Sequence, residues 1–126
     1  MAERQRDGLR LASVDAAKAR GFSLNISAFD DTPAEVTYGE LLGSTTGKHY
    51  IVDTSRNGLG PGSTTCNPAG RALGQPPTTL TAAAGADAYL WIKHPGESDG
   101  ACAPGDLAAG VWSATIAEDL ASHAAW

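Results

Sequence analysis

The sequence predicts a parallel α/β fold, and two observations carry that expectation. Elements read from the sequence alternate along the chain as helix, strand, helix, strand, loop, strand, helix, the order of a parallel sheet with covering helices. Each strand then runs straight into polar residues: Asn25 after the first, Asp53-Thr54-Ser55-Arg56 after the second, and Lys93 through Asp99 after the third. In parallel α/β architectures, chemistry gathers at the carboxyl ends of the strands.

Residues 8–20 place Leu11, Val14, Ala17 and Lys18 at helical spacing, and Gly21 supplies a stop. Phe22 to Ile26 alternate apolar with polar and read as a strand ending in the polar loop "SAFDDT". Thr32 is placed to cap a helix over 33–44, with Pro33 at its first position and Glu35 in its first turn. "HYIVD" at 49–53 is short and apolar, as in a strand buried on both faces. A loop over 54–87 follows, rich in Gly, Pro, Thr and Asn, and its length points to a functional role. "AYLWIK" at 88–93 reads as the third strand, and an alanine-rich helix over 112–124 closes the chain. No internal repeat is present. Three strands are few for a closed sheet, and an open one leaves two edges unpaired. The architecture therefore looks incomplete.

The 126 residues fit one domain, large enough to bury roughly two-thirds of its unfolded surface. A 42% hydrophobic content argues against disorder, and a net charge of −5 with a pI near 4.9 argues against nucleic acid as a partner. No apolar run approaches the ~20 residues that cross a bilayer, so no membrane partner is expected. The opening "MAERQRDGLRLASVD" has no apolar core of a signal peptide.

Cys66 and Cys102 are the only cysteines. Both fall in Gly/Pro/Asn-rich loops rather than in the apolar runs where buried thiols sit. Two free thiols are one reading. A bridge is the other; it would close a loop of about 37 residues, worth roughly 4 kcal/mol in the chain-entropy account, and would imply an oxidising compartment.

Among the motifs, Gly96-Glu97-Ser98-Asp99-Gly100 has the G-x-S-x-G form of a serine nucleophile. The context opposes it, because "ACAPGDLAAG" follows where a helix is required and His123 lies too close behind. "GSTTGK" at 43–48 has one residue too few between its glycines for a phosphate loop, and "GLGPG" lacks dinucleotide spacing; both read as turns. His49, His94 and His123 lack paired ligand spacing, so no metal is expected. Trp91, Trp112 and Trp126 read first as packing residues. What remains is a carboxylate. Arg56 and Lys93 leave strand ends on the same face as Asp99, and two cations would lower its pKa. A structural ion pair and a functional one both fit that pattern.

"HYIVDTSRNGLGPGSTTCNPAGRALGQPPTT" followed by "DAYLWIKHPGESDGAC" closely resembles glycoside hydrolase family 6, the cellulases that include endoglucanases and cellobiohydrolases. "ARGFSLNISAF" and the closing helix fit the same family, so the likeness runs from about residue 10 to the end. The resemblance implies the C-terminal part of a distorted parallel β/α barrel, about three strands with flanking helices and incomplete as a barrel. It implies a secreted, cofactor-free hydrolase that cleaves β-1,4-glucan with inversion at the anomeric carbon. By the resemblance, Asp99 matches the proposed catalytic base. Lys93, Glu97 and Arg56 match residues that hold that aspartate or the sugar. Asn25 falls in a segment that contributes a sugar-contacting amide. Cys66 and Cys102 match a family disulfide that pins the long loop to the last strand.

The chain departs from the family pattern at Thr65, where a tryptophan platform is usual, and at Ala28, where asparagine is common. The region carrying the family's general acid has no counterpart here. Inversion needs such an acid ~6.5–9.5 Å from the base. Residues 1–126 are thus expected to be a C-terminal fragment of the catalytic domain, with no second domain and partnered by the missing N-terminal half of the barrel. The alternative is a non-catalytic module that binds glucan or assembles with a separate half.

Overall fold

The computed structural model describes Arg10 and residues 16–126. Three parallel strands, β1 (Gly21–Leu24), β2 (His49–Asp53) and β3 (Ala86–Leu90), form one open sheet in the order β1-β2-β3. Helix α1 (Thr32–Thr46) connects the first two strands, and α2 (Ala114–Ser122) ends the fold. The helix expected over 8–20 lies largely outside the described residues; its end, Ala16–Lys18, is a single 3₁₀ turn.

The core lies between α1 and one face of the sheet, where Leu24, Leu42, Tyr50, Val52, Ala86 and Tyr89 are buried together. Each large apolar side chain removed from water there contributes about 1.5–3 kcal/mol. Phe22 stacks on Tyr50 with ring centroids 5.8 Å apart. Glycine at position 39 is what lets α1 lie this close, since a Cβ there would run into the Tyr50 ring. The Tyr50 hydroxyl continues past it to donate to Glu40 Oε1 at 2.9 Å. Burial, and secondly the Glu40 carboxylate, push the Tyr50 pKa up.

Element boundaries moved by a few residues, each for a local reason. Asp31, not Thr32, caps α1: its carboxylate accepts the Ala34 N–H at 2.8 Å, while Thr32 Oγ1 accepts from Asn57 Nδ2 at 3.0 Å. The helix runs on through "GSTT", so the stretch read as a turn forms the last helical turn. It stops at Gly47, which takes a left-handed φ of 70° and donates to Gly43 O. β3 ends at Leu90 rather than at residue 93, because Leu90 pairs with Asp53 and β2 goes no further. α2 begins at Ala114, capped by Ser113, leaving Trp112 outside the helix and exposed.

The outer edge of β3 is covered after all. Thr78, from the long loop, forms an antiparallel bridge with Tyr89, its N–H donating to Tyr89 O and its carbonyl accepting from Tyr89 N–H. The edge of β1 has no strand partner among the described residues. A depression of about 570 Å³ beside the strands is lined by Phe22, Ser23, Ile51 and Ala88, among others.

Candidate functional site

The carboxyl ends of β1, β2 and β3 are tied together by one buried side chain. Asp53, 1% exposed, ends β2 and accepts three backbone N–H bonds from three segments. Ser27 donates to Oδ2 at 2.9 Å, Lys93 to the same oxygen at 3.1 Å, and Ser55 to Oδ1 at 3.0 Å. Such a carboxylate satisfies its lone pairs without a cation. Its effect is positional, because it brings the loop after β1 and the segment after β3 against the end of β2.

Arg56 sits in the notch this creates. It is 2% exposed, Nη2 donates to Ser27 O at 2.5 Å, and its guanidinium carbon lies 4.3 Å from the centre of the Phe29 ring. Nη1 donates to Asp99 Oδ2 at 2.7 Å. Lys93 Nζ meets the other oxygen, Oδ1, at 3.2 Å. Both cations therefore reach the carboxylate that the sequence set between them. Arg56 Nε has no hydrogen-bond partner, a cost offset in part by the ring beneath it.

A third donor reaches Asp99 from the long loop: the Asn67 N–H lies 2.9 Å from Oδ2. Burial, the largest single influence, raises the Asp99 pKa. Arg56, the Asn67 N–H and Lys93 together outweigh it, so the group sits below its ordinary value. Asp99 is thus held in its ionised form.

The remaining expected residues lie around this centre. Glu97 Oε1 faces His94 Nδ1 at 2.9 Å, on the exposed side. Asn25, with a left-handed φ of 61°, donates from Nδ2 to Asp53 O and Asp30 O and accepts from Asp30 N–H, so its amide secures the loop after β1. Cys66 and Cys102 are bridged, with Cα atoms 6.4 Å apart. Thr65 is exposed beside that bridge. Ser98 is 1% exposed, and its hydroxyl donates to Leu107 O at 2.8 Å while accepting from Asn67 and Gly100, which removes it as a nucleophile. No group of three or more His, Cys, Asp or Glu that could hold a metal occurs among the described residues. No helix among them is long and apolar enough to cross a membrane.

Of the tryptophans, Trp91 packs at 6.3 Å against Trp126, which is 65% exposed, and each indole N–H donates to a neighbouring loop carbonyl. Trp112, 63% exposed, lies over Gly96 so closely that a Cβ there would strike its ring.

Asn67 was not foreseen from the sequence, nor was the stapling role of Asp53. The one available signal for Asn67 was its place directly after Cys66, in a loop the disulfide would carry toward Asp99.

Comparison with known proteins identifies the family and the fold. The family described as Glycosyl hydrolases family 6 matches residues 2–124. Endoglucanase A of Cellulomonas fimi is 46% identical over 118 residues, which is 93% of this chain and 26% of that protein. Endoglucanase 1 of Streptomyces halstedii is 42% identical over 102 residues, 76% of this chain and 31% of its own length. The endoglucanase Cel6 of Mycobacterium tuberculosis, solved with methyl-cellobiosyl-4-deoxy-4-thio-β-D-cellobioside, superposes with a TM-score of 0.90 at 52% identity. That match covers 96% of this chain and 43% of the other. The chain thus spans about a quarter to a third of these curated relatives, and its open sheet corresponds to part of a larger barrel-like fold. On its sequence and on its fold, the chain belongs to glycosyl hydrolases family 6.

Proposed function

We propose that this chain supplies one wall of a site that hydrolyses β-1,4-glucan with inversion, and that Asp99 orients the attacking water there. The observation that supports it most is the hold on Asp99 by Arg56, Lys93 and the Asn67 N–H at the ends of parallel strands. A general base works best with a pKa near the working pH, whereas Asp99 lies below its ordinary value. On this reading Asp99 orders a water and balances the two cations, and the proton leaves through further water. Lys93 and Arg56 keep the carboxylate ionised and aimed. Glu97, on the exposed side, meets sugar hydroxyls, and Asn25 holds the loop that borders them.

The acid that protonates the leaving oxygen comes, on this proposal, from outside the residues gathered here. Asp53 is buried under three backbone donors, and Glu97 is paired with His94. The edge of β1, which has no strand partner among the described residues, and the depression of about 570 Å³ beside the strands favour assembly with the rest of a barrel. Secretion is part of the same proposal, since a disulfide persists in oxidising compartments.

Titrating the chain with cellotetraose while observing backbone amides tests the binding wall. Shifts at Lys93, Asn67 and Asp99 are the expected result, and an unperturbed spectrum at millimolar ligand would refute it. The chain alone should release no more reducing sugar from soluble cellulose than an Asp99→Ala control, because a missing acid removes about 10²–10⁴-fold. Release above that control would refute the external acid.

A further inference from the structure

The long loop does more than approach Asp99; one of its residues grips the whole turn that carries it. Asn67 and Asp99 exchange two hydrogen bonds: the Asn67 N–H donates to Asp99 Oδ2 at 2.9 Å, and the Asp99 N–H donates to Asn67 Oδ1 at 2.8 Å. The same side chain donates from Nδ2 to Gly100 O at 2.9 Å and to Ser98 Oγ at 3.2 Å. One amide thereby holds three consecutive residues, 98 to 100. The grip depends on Asn67 adopting a left-handed φ of 46°, a conformation asparagine tolerates better than most residues. Gly100 can follow it because its own φ is 145°.

The flanking Cys66–Cys102 bridge explains why the clamp stays in place. It joins the residue before Asn67 to a residue three beyond Asp99. The disulfide fixes the separation, and Val111 O and the Gly110 N–H hold the backbone of Ser98, but none of them reaches Asp99. Arg56, fixed by Ser27 O and the Phe29 ring, and Lys93 supply charge to the carboxylate but make no bond to the backbone of residues 98–100. Among the described residues, Asn67 alone bonds Asp99 at both its carboxylate and its backbone N–H.

We infer that Asn67 is the positioning residue of Asp99, orienting its carboxylate through the paired backbone and side-chain bonds while the disulfide only holds the loop nearby. The charged groups facing Asp99 are Arg56 and Lys93; Glu97 is turned to His94, and Asp53 to backbone donors. The catalytic consequence, an ordered water, rests on the function proposed above, but the positioning itself does not.

The test follows the carboxyl carbon of Asp99 by NMR through a pH titration of the intact, oxidised chain. Asn67→Gly keeps the left-handed backbone and removes only the side chain. Without Asn67 Oδ1 to hold the Asp99 N–H, the carboxylate should drift from the Asn67 N–H and titrate higher than in wild type. Asn67→Asp keeps the acceptor for the Asp99 N–H, replaces the donor to Gly100 O and Ser98 Oγ by a carboxylate oxygen, and should raise Asp99 through the added negative charge. Superposable Asp99 curves in wild type and Asn67→Gly, with the disulfide intact, would overturn the inference. Should either variant fail to fold, the wild type still decides the matter. The Asn67 side-chain amide protons and the Asp99 N–H should exchange slowly with solvent, and free exchange at both would overturn it. Neither readout involves glucan, so absent glucan binding would sink the proposed function and leave this inference standing.

Discussion

Asp53 fixes Lys93 by its backbone, accepting that N–H at 3.1 Å, and so decides where the lysine ammonium meets Asp99, 3.2 Å from Oδ1. The first residue is buried at the end of β2 and the second lies beyond the end of β3. The ion pair at the surface of the site thus depends on a carboxylate beneath it that makes no ion pair with Lys93.

Asp53→Asn should therefore be costly despite its near-identical shape. An amide nitrogen would replace one oxygen and face N–H donors, leaving at least one buried group unpaired. A loss of about 2–3 kcal/mol is expected, read from urea unfolding. A loss below about 0.5 kcal/mol would mean that the three N–H bonds are not what holds the strand ends.

Gly39→Ala sets two effects against each other. In an exposed helix the change would gain up to about 1 kcal/mol. Here the new methyl runs into the Tyr50 ring, and overpacking costs about 1–3 kcal/mol. Net destabilisation in thermal unfolding is the expected sign, together with altered near-ultraviolet signal from Tyr50.

Low pH should weaken the fold through Asp99. Its folded pKa is depressed below the ordinary value of 3.8 by Arg56, the Asn67 N–H and Lys93, against the opposing effect of burial. A depressed carboxylate contributes stability fully present above its unfolded pKa and lost as pH falls through the folded one. Urea midpoints measured from pH 6 down to pH 2 should thus fall more steeply in wild type than in Asp99→Asn, mostly below pH 4. Parallel curves would contradict the assignment.

The fold was legible in the sequence where a segment's apolar pattern coincided with its hydrogen-bonding partners. β2 matches its apolar run, because Gly47 ends the preceding helix and Asp53 faces backbone donors at once. β3 was read past its end, since "WIK" continues the apolar run after Asp53 has left Leu90 the last paired position. Nothing local in the chain says where a partner strand stops. The cap of α1 was off by one because Asp30, Asp31 and Thr32 can all cap, and a distant residue, Asn57, claimed Thr32. The ionic part of the site could be read because charge at strand ends is a local signal. Asn67 could not, since its partners lie over thirty residues away and meet it only once the loop is folded back.

The bridge between Cys66 and Cys102 should leave no free thiol in unreduced, denatured protein secreted through an oxidising compartment. Thiol titration measures this directly; two reactive thiols would contradict it. Reduction should cost about 4 kcal/mol, through the entropy of the released loop.

On the proposed function, Asp99 serves glucan hydrolysis by orienting water. That role is tested most directly in a chimera in which this chain replaces the matching 118 residues of the Cellulomonas fimi endoglucanase. That protein should release reducing sugar from soluble cellulose, and Asp99→Asn within it should lose about 10²-fold or more. Added azide should restore little of the loss. An Asp99→Asn chimera as active as its parent would contradict the account, and full rescue by azide, yielding the inverted glycosyl azide, would show Asp99 to be the direct base instead.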